Sequence, residues 1–295
     1  MVRFYLCLTT SENDYQQEQA ATAQKAAHKL GLDLQIADAG GDPIKQSTML
    51  MEAVTSGRFQ GVLFEPVGLP MTQAAQKAVE AGLGWVVLNR VPDYLAPLRK
   101  AAKAPTFAVS TDHLEVGCIQ GRQAAALLPQ GGSILVIQGK IGSDAARERT
   151  EGFQKTRPAA ATVRVLHGAW TEGSGYDAIR SWGRLSHAAV DLVVAQNDVM
   201  AVGARKALVE LAETAPARAR LTRLPVIGAD GLPDGGQRWL REGTITATTH
   251  IPANAGPAVE LLASALHGDA SAATVNKTTP HSLPPLDSLR PVRPD

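Results

Sequence analysis

Short apolar runs alternate with amphipathic stretches of about 12–16 residues through most of the chain, with turns rich in Gly, Pro, Asp and Asn between them. This alternation leaves few folds open. A short strand that is apolar on both faces needs helices above and below it, and strands joined through helices run parallel. Residues 2–8, 32–37, 61–64, 85–88 and 107–109 read as strands, and 16–30, 44–56 and 71–81 as helices. Gly31 is the C-terminal stop of the first helix, and Pro43 stands at the entrance of the second. After Asp112 a second series places strands at 133–137, 163–166, 192–195, 225–228 and 245–249. Its helices are expected at 114–128, 145–156, 176–186, 200–212 and 253–266. Two such series predict an α/β protein of two doubly wound parallel-sheet lobes. At 295 residues the chain is long enough for two cores. The tail after Thr279 carries Pro280, Pro284, Pro285, Pro291 and Pro294 and reads as irregular.

Charge excludes some partners. With 29 basic against 28 acidic residues the formal net charge is +1, which gives no general pull toward nucleic acid or an anionic membrane. No apolar run approaches the roughly 18–20 residues of a membrane helix, so direct membrane insertion is not expected. The start is apolar only over residues 4–8, short of the roughly 7–15 residues of a secretory signal core. Two compartments therefore stay open: cytoplasmic if this start is native, periplasmic if an export signal has been removed. Cys7 and Cys118 have no Cys or His companions at metal spacing, so two buried free thiols are expected and no metal site.

In open parallel sheets ligands bind beyond the carboxyl ends of the strands. The residues that follow the predicted strands are Ser11, Glu12, Asn13, Asp14 and Tyr15, then Glu65, Asn89 and Arg90, then Thr111 and Asp112. The second series adds Asp144 and Arg147, Trp170, Asn197 and Asp198, Asp230 and His250. Carboxylates, carboxamides and guanidinium groups engage vicinal hydroxyls in pairs, and aromatic rings lie against the C–H faces of sugars. Other readings stay open at this point. Asn13 could cap the helix that follows it, Trp170 could be a core aromatic, and Arg90 and Arg147 could be surface charges. Arg147 and Arg149 lie about 200° apart on a helix, so they cannot face the same site.

Three strings, Ala145-Ala146-Arg147-Glu148-Arg149-Thr150-Glu151-Gly152-Phe153, Ala195-Gln196-Asn197-Asp198-Val199-Met200-Ala201 and Gly228-Ala229-Asp230-Gly231-Leu232-Pro233-Asp234-Gly235, occur in order. Together they resemble the ribose-type branch of the periplasmic sugar-binding proteins, whose fold also supplies the effector domain of the lactose-repressor family. The resemblance implies the type I periplasmic binding protein fold, with lobes at 1–111 plus 251–279 and 112–250 plus 280–295, joined by a three-stranded hinge. It further implies ligand contacts from Asn13, Tyr15, Asn89, Arg90, Arg147, Trp170, Asn197, Asp230 and His250, with Tyr15 and Trp170 on either side of a sugar ring. Gln16, Glu65 and Thr111 stand at positions that line the cleft less certainly. Gln16 stands where the pattern has a second aromatic, Asn89 where it has Asp, Ala229 where it has an aromatic, and His250 where Gln is common.

The expected function is hinge closure over one small sugar or polyol, without a cofactor, as the solute-binding component of a sugar ABC transporter. A monomer that meets a transporter permease or a sensor protein is expected. A ligand-sensing module is the alternative within this fold. An enzyme is disfavoured because the first strand leads into Thr9-Thr10-Ser11-Glu12, with no G-x-G-x-x-G, phosphate loop or G-x-S-x-G elbow in the chain. A DNA-reading repressor would need a helix-turn-helix ahead of a first strand that already begins at Val2.

Overall fold

The computed structural model describes residues 2–12, 14–68, 71–186, 188–214, 216–268 and 272–292. The chain forms two compact units, Met1–Thr111 with Pro252–Thr278, and Asp112–Ile251 with Thr279–Asp295.

The first unit contains β1 (Arg3–Leu8), α1 (Asp14–Leu30), β2 (Asp33–Asp38), α2 (Pro43–Thr55), β3 (Gly61–Phe64), α3 (Thr72–Glu80), β4 (Gly84–Leu88), α4 (Leu95–Ala101) and β5 (Thr106–Thr111). The chain returns to this unit later for α10 (Ala255–His267) and β11 (Val275–Thr278). Its six strands form one sheet in the order β2-β1-β3-β4-β5-β11, and every neighbouring pair is parallel. Period-two alternation explains why β1 reads as an unbroken apolar run. Phe4, Leu6 and Leu8 pack with Ala23, Ala26 and Ala27 of α1 and with Val259 and Leu262 of α10. Tyr5 and Cys7 point the other way, toward Leu50 and Ala53 of α2 and Ala74 and Ala78 of α3.

The second unit contains α5 (His113–Leu127), β6 (Ser133–Gln138), α6 (Asp144–Thr156), β7 (Thr162–His167), α7 (Glu172–Leu185), β8 (Leu192–Ala195) and α8 (Asp198–Thr214). After these come β9 (Val226–Ile227), α9 (Gly236–Arg241), β10 (Thr248–His250) and β12 (His281–Leu283). A parallel sheet runs β7-β6-β8-β9, while β10 and β12 pair antiparallel. Both faces of β6 are again covered. Leu135 and Ile137 meet Ile179 and Trp182 of α7 and Met200 and Ala204 of α8; Ile134 and Val136 meet Ala124 of α5 and Phe153 of α6.

Some elements depart from the sequence reading. The tail is not wholly irregular: Pro280 and Pro284 flank β12 and leave 281–283 free to pair. α4 forms despite Pro97, which sits in its first turn, where the N–H has no intrahelical partner. β11 and α9 are further elements that the alternation did not reveal. Both cysteines are buried free thiols, and burial pushes Cys7 up to about 11. Among the described residues no helix is long and apolar enough to cross a membrane.

Helices α5 and α6 approach each other through glycines. A Cβ at Gly117 would lie 2.0 Å from the Arg149 carbonyl oxygen, and one at Gly152 would lie 2.0 Å from that of Leu114. Backbone cannot give way as a flexible side chain can. Gly117→Ala is therefore expected to destabilise the protein by about 1–3 kcal/mol in urea unfolding. Gly173→Ala, with nothing within 4 Å of its Cβ, should change stability by no more than about 1 kcal/mol.

Candidate functional site

In each unit the strand order reverses beside the first strand, between β1 and β3 in one and between β6 and β8 in the other. Loops leave such a switch point in opposite directions and open a crevice at the carboxyl ends of the strands. The polar side chains converge there.

In the first unit Glu65 follows β3 and is only 9% exposed. Its carboxylate accepts from Gln16 Nε2 at 2.7 Å and from Asn89 Nδ2 at 3.1 Å. Gln46, fully buried on α2, fixes the backbone on either side by donating to the Glu65 carbonyl at 2.8 Å and accepting from the Val67 N–H at 2.9 Å. Burial pushes the Glu65 carboxyl above the usual range, against the pull of Gln16, Asn89, the Arg90 charge and Gln19. Asn89 takes a left-handed φ of 59°, which turns the chain sharply after β4. A second amide organises the rest. Asn254 Nδ2 faces Asn89 Oδ1 at 3.3 Å, Tyr15 Oη at 3.4 Å and Thr111 Oγ1 at 3.5 Å, while its Oδ1 accepts from Thr278 Oγ1 at 3.1 Å. Tyr15, Gln16, Glu65, Asn89 and Thr111 are thus brought together. Arg90 is exposed, and Asn13 lies outside the described residues.

In the second unit Arg149 is 6% exposed. Its Nη1 donates to the Gln196 carbonyl, its Nη2 lies 3.5 Å from His113 Nδ1, and its guanidinium carbon stands 5.3 Å from the centre of the Trp170 ring. Trp170 itself has a φ of 68°, an uncommon conformation for a bulky residue. Asn197 Nδ2 holds its carbonyl at 3.1 Å, and Asn197 Oδ1 also accepts from the Met200 N–H at 3.1 Å in the first turn of α8. The indole lies so close to Gly139 that a Cβ there would come within 2.1 Å of it.

Arg147, the arginine that the resemblance singled out, is placed differently. Its side chain is 62% exposed and lies 3.4 Å from both Asp144 and Glu148. The reason lies in α6, whose buried residues are Ala146, Arg149, Gly152 and Phe153, a helical stripe that turns Arg149 inward and Arg147 outward. Arg149 and Asn254 are the residues that the sequence reading did not select. The stripe signals the first, and the position of Asn254 just ahead of α10 signals the second.

Asp198, 2% exposed, accepts from the Gly231 N–H at 2.7 Å and from Thr248 Oγ1 at 2.6 Å. Burial, followed by the neighbouring Asp230 carboxylate, pushes it well above the usual carboxyl range. Asp230 has a φ of 118° and bridges to His250 in parallel register. His250 Nδ1 is 2.9 Å from the Gly231 carbonyl, which can only accept, so Nδ1 carries the proton. The His281 ring stands 4.8 Å from that of His250. Among the described residues no cluster of three or more His, Cys, Asp or Glu side chains could hold a metal ion.

Residues 4–270 match the family described as periplasmic binding protein domain. The chain belongs to this family. The ribose import binding protein of Escherichia coli (strain K12) is 29% identical over 250 residues, which cover 82% of this chain and 77% of that one. Among solved structures, a periplasmic solute-binding protein of an ABC transporter from Actinobacillus succinogenes, with bound D-allose, superposes with a TM-score of 0.82 at 20% identity over 96% of this chain and 97% of that one. The fructose-binding periplasmic domain of a hybrid two-component system superposes with a TM-score of 0.78 at 21% identity, covering 96% of this chain and 90% of that one. The α/β architecture is the type I periplasmic binding protein fold, and the family relationship is of the ribose-binding type.

Because folding raises the carboxyl of Asp198, the native state retains a proton that the unfolded chain gives up. Its contribution to stability is present below the unfolded value and is lost as pH rises toward the folded one. Asp198→Asn should remove that negative slope. Melting temperature followed from pH 4 to pH 8 checks this, with the variant flatter than wild type.

Proposed function

We propose that this protein binds a small carbohydrate or related polyol without transforming it, as the solute-binding component of an ABC transporter in the periplasm. The observation that carries the reading is the matched pair of strand-end constellations. One holds Tyr15, Gln16, Glu65 and Asn89, joined through hydrogen bonds; the other holds Arg149, Trp170, Asn197 and Asp230. Each combines an aromatic ring with planar polar groups, the mixture that suits C–H faces and vicinal hydroxyls. A ligand that takes hydrogen bonds from both units favours the state in which they close upon it, by its differential affinity for that state. The three chain crossings, after Thr111, Ile251 and Thr278, are the natural hinge. Asn13, Arg90, Thr111 and His250 complete the proposed set of contacts, with Arg149 in the role expected of Arg147.

A sensing role is the second reading, favoured by the likeness to the periplasmic domain of a hybrid two-component system. It uses the same ligand site and differs only in the protein that reads the closed state.

A thermal-shift screen of the full chain against pentoses, hexoses and inositols tests the proposal. A sugar at about 100 times its dissociation constant adds about 2.7 kcal/mol of stability. A buried charge-assisted hydrogen bond contributes about 1.5–3 kcal/mol, so Arg149→Ala should weaken binding at least about tenfold. Arg147→Ala should leave affinity within about threefold, because its side chain is 62% exposed and its ion pairs with Asp144 and Glu148 contribute about 1 kcal/mol or less. If millimolar concentrations of every sugar leave the melt unchanged, the reading fails.

A further inference from the structure

Glu65 is the acidic group of the first unit's site, and it is built in rather than incidental. It is 9% exposed, both of its carboxylate oxygens are held by side-chain amides, and its backbone is fixed by Gln46. The side chains that draw on its carboxylate, Gln16 and Asn89 with Gln19 beside them, are all neutral amides. None of the ion pairs among the described residues involves Glu65, and Arg90, whose charge reaches it, is exposed. The buried carboxylate of the second unit differs. Asp198 is 2% exposed and shut in by Thr248 and Gly231, with the proton as its natural means of losing charge.

A carboxylate can accept about four hydrogen bonds, and even with Gln19 counted beside Gln16 and Asn89 the donors leave Glu65 with capacity for a ligand. A hydroxyl would fill that capacity without neutralising the charge. An ammonium group would fill it and supply the missing cation, and a buried charge is tolerated best when paired as well as hydrogen-bonded. We infer that the ligand is an amino-substituted sugar or cyclitol whose protonated amine sits on Glu65 between Gln16 and Asn89. This rests on the sugar-binding reading above and names its substrate class. Glu65 sets specificity by charge, while the hydroxyls of the same ligand are left to the amides and to the second unit.

Isothermal titration at pH 7 with matched probes tests the inference on the full chain. The pairs are D-glucose with D-glucosamine, D-galactose with D-galactosamine, and myo-inositol with a monoamino-inositol. At least one amine is expected to bind at least about tenfold more tightly than its hydroxyl parent. Glu65→Gln should abolish that preference, lowering amine affinity at least about tenfold more than it lowers the parent's. The comparison of amine and parent on wild type does not depend on how well the variant folds. If hydroxyl parents bind wild type as tightly as their amines, or more tightly, the inference is overturned and the sugar-binding reading survives. If no member of any pair binds, the inference is overturned, and the sugar-binding reading is decided by the wider screen that includes pentoses.

Discussion

A parallel sheet sends the carboxyl ends of all its strands to one edge, and the rest of this molecule follows from that. Helices cover both faces of the central strands of each sheet, so those strands are almost entirely apolar and have no room for chemistry. Polar side chains can gather only where the strands stop. At those ends the chain turns with unusual backbone at Asn89, Trp170 and Asp230, all at positive φ and all in the candidate site. Backbone strain of this kind is maintained only where the surroundings over-determine it. Here the surroundings are visible: Asn254 on Asn89, Asn197 on the Trp170 carbonyl, and paired strand-end hydrogen bonds on either side of Asp230.

Carboxamides do much of the positioning. Gln16, Gln46, Asn89, Asn197 and Asn254 each donate and accept, which lets one buried side chain tie two loops together without importing charge. The charges that are buried, on Glu65, Arg149 and Asp198, are then few and individually held. Glu65 accepts from side-chain amides, Arg149 donates to the Gln196 carbonyl, and Asp198 accepts from Thr248 and Gly231.

Much of this was legible in the sequence because burial on two faces writes continuous apolar strands and amphipathic helices. The ends of the predicted strands also pointed to Tyr15, Glu65, Asn89, Trp170, Asn197 and Asp230 as polar and aromatic candidates. What was not legible has physical causes. β11 is a half-buried edge strand spelled Val275-Asn276-Lys277-Thr278, and its polar residues hid it. Pro97 disguised α4, and prolines on both sides disguised β12. The choice between Arg147 and Arg149 turned on helix phase, which Ala146, Gly152 and Phe153 fix only once the buried face of α6 is known. Asn254 looked like a residue within a helix, yet it stands ahead of α10 and serves a network spread from Tyr15 to Thr278.

The central claim is that one small ligand engages the strand ends of both units. Amide hydrogen exchange on the full chain, with and without the best-stabilising sugar, tests it most directly. The account predicts added protection in residues 9–19, 65–68 and 89–91 of the first unit together with 139–149, 196–200 and 230–232 of the second. Protection confined to one unit, or centred on the amino ends of the strands, would contradict it.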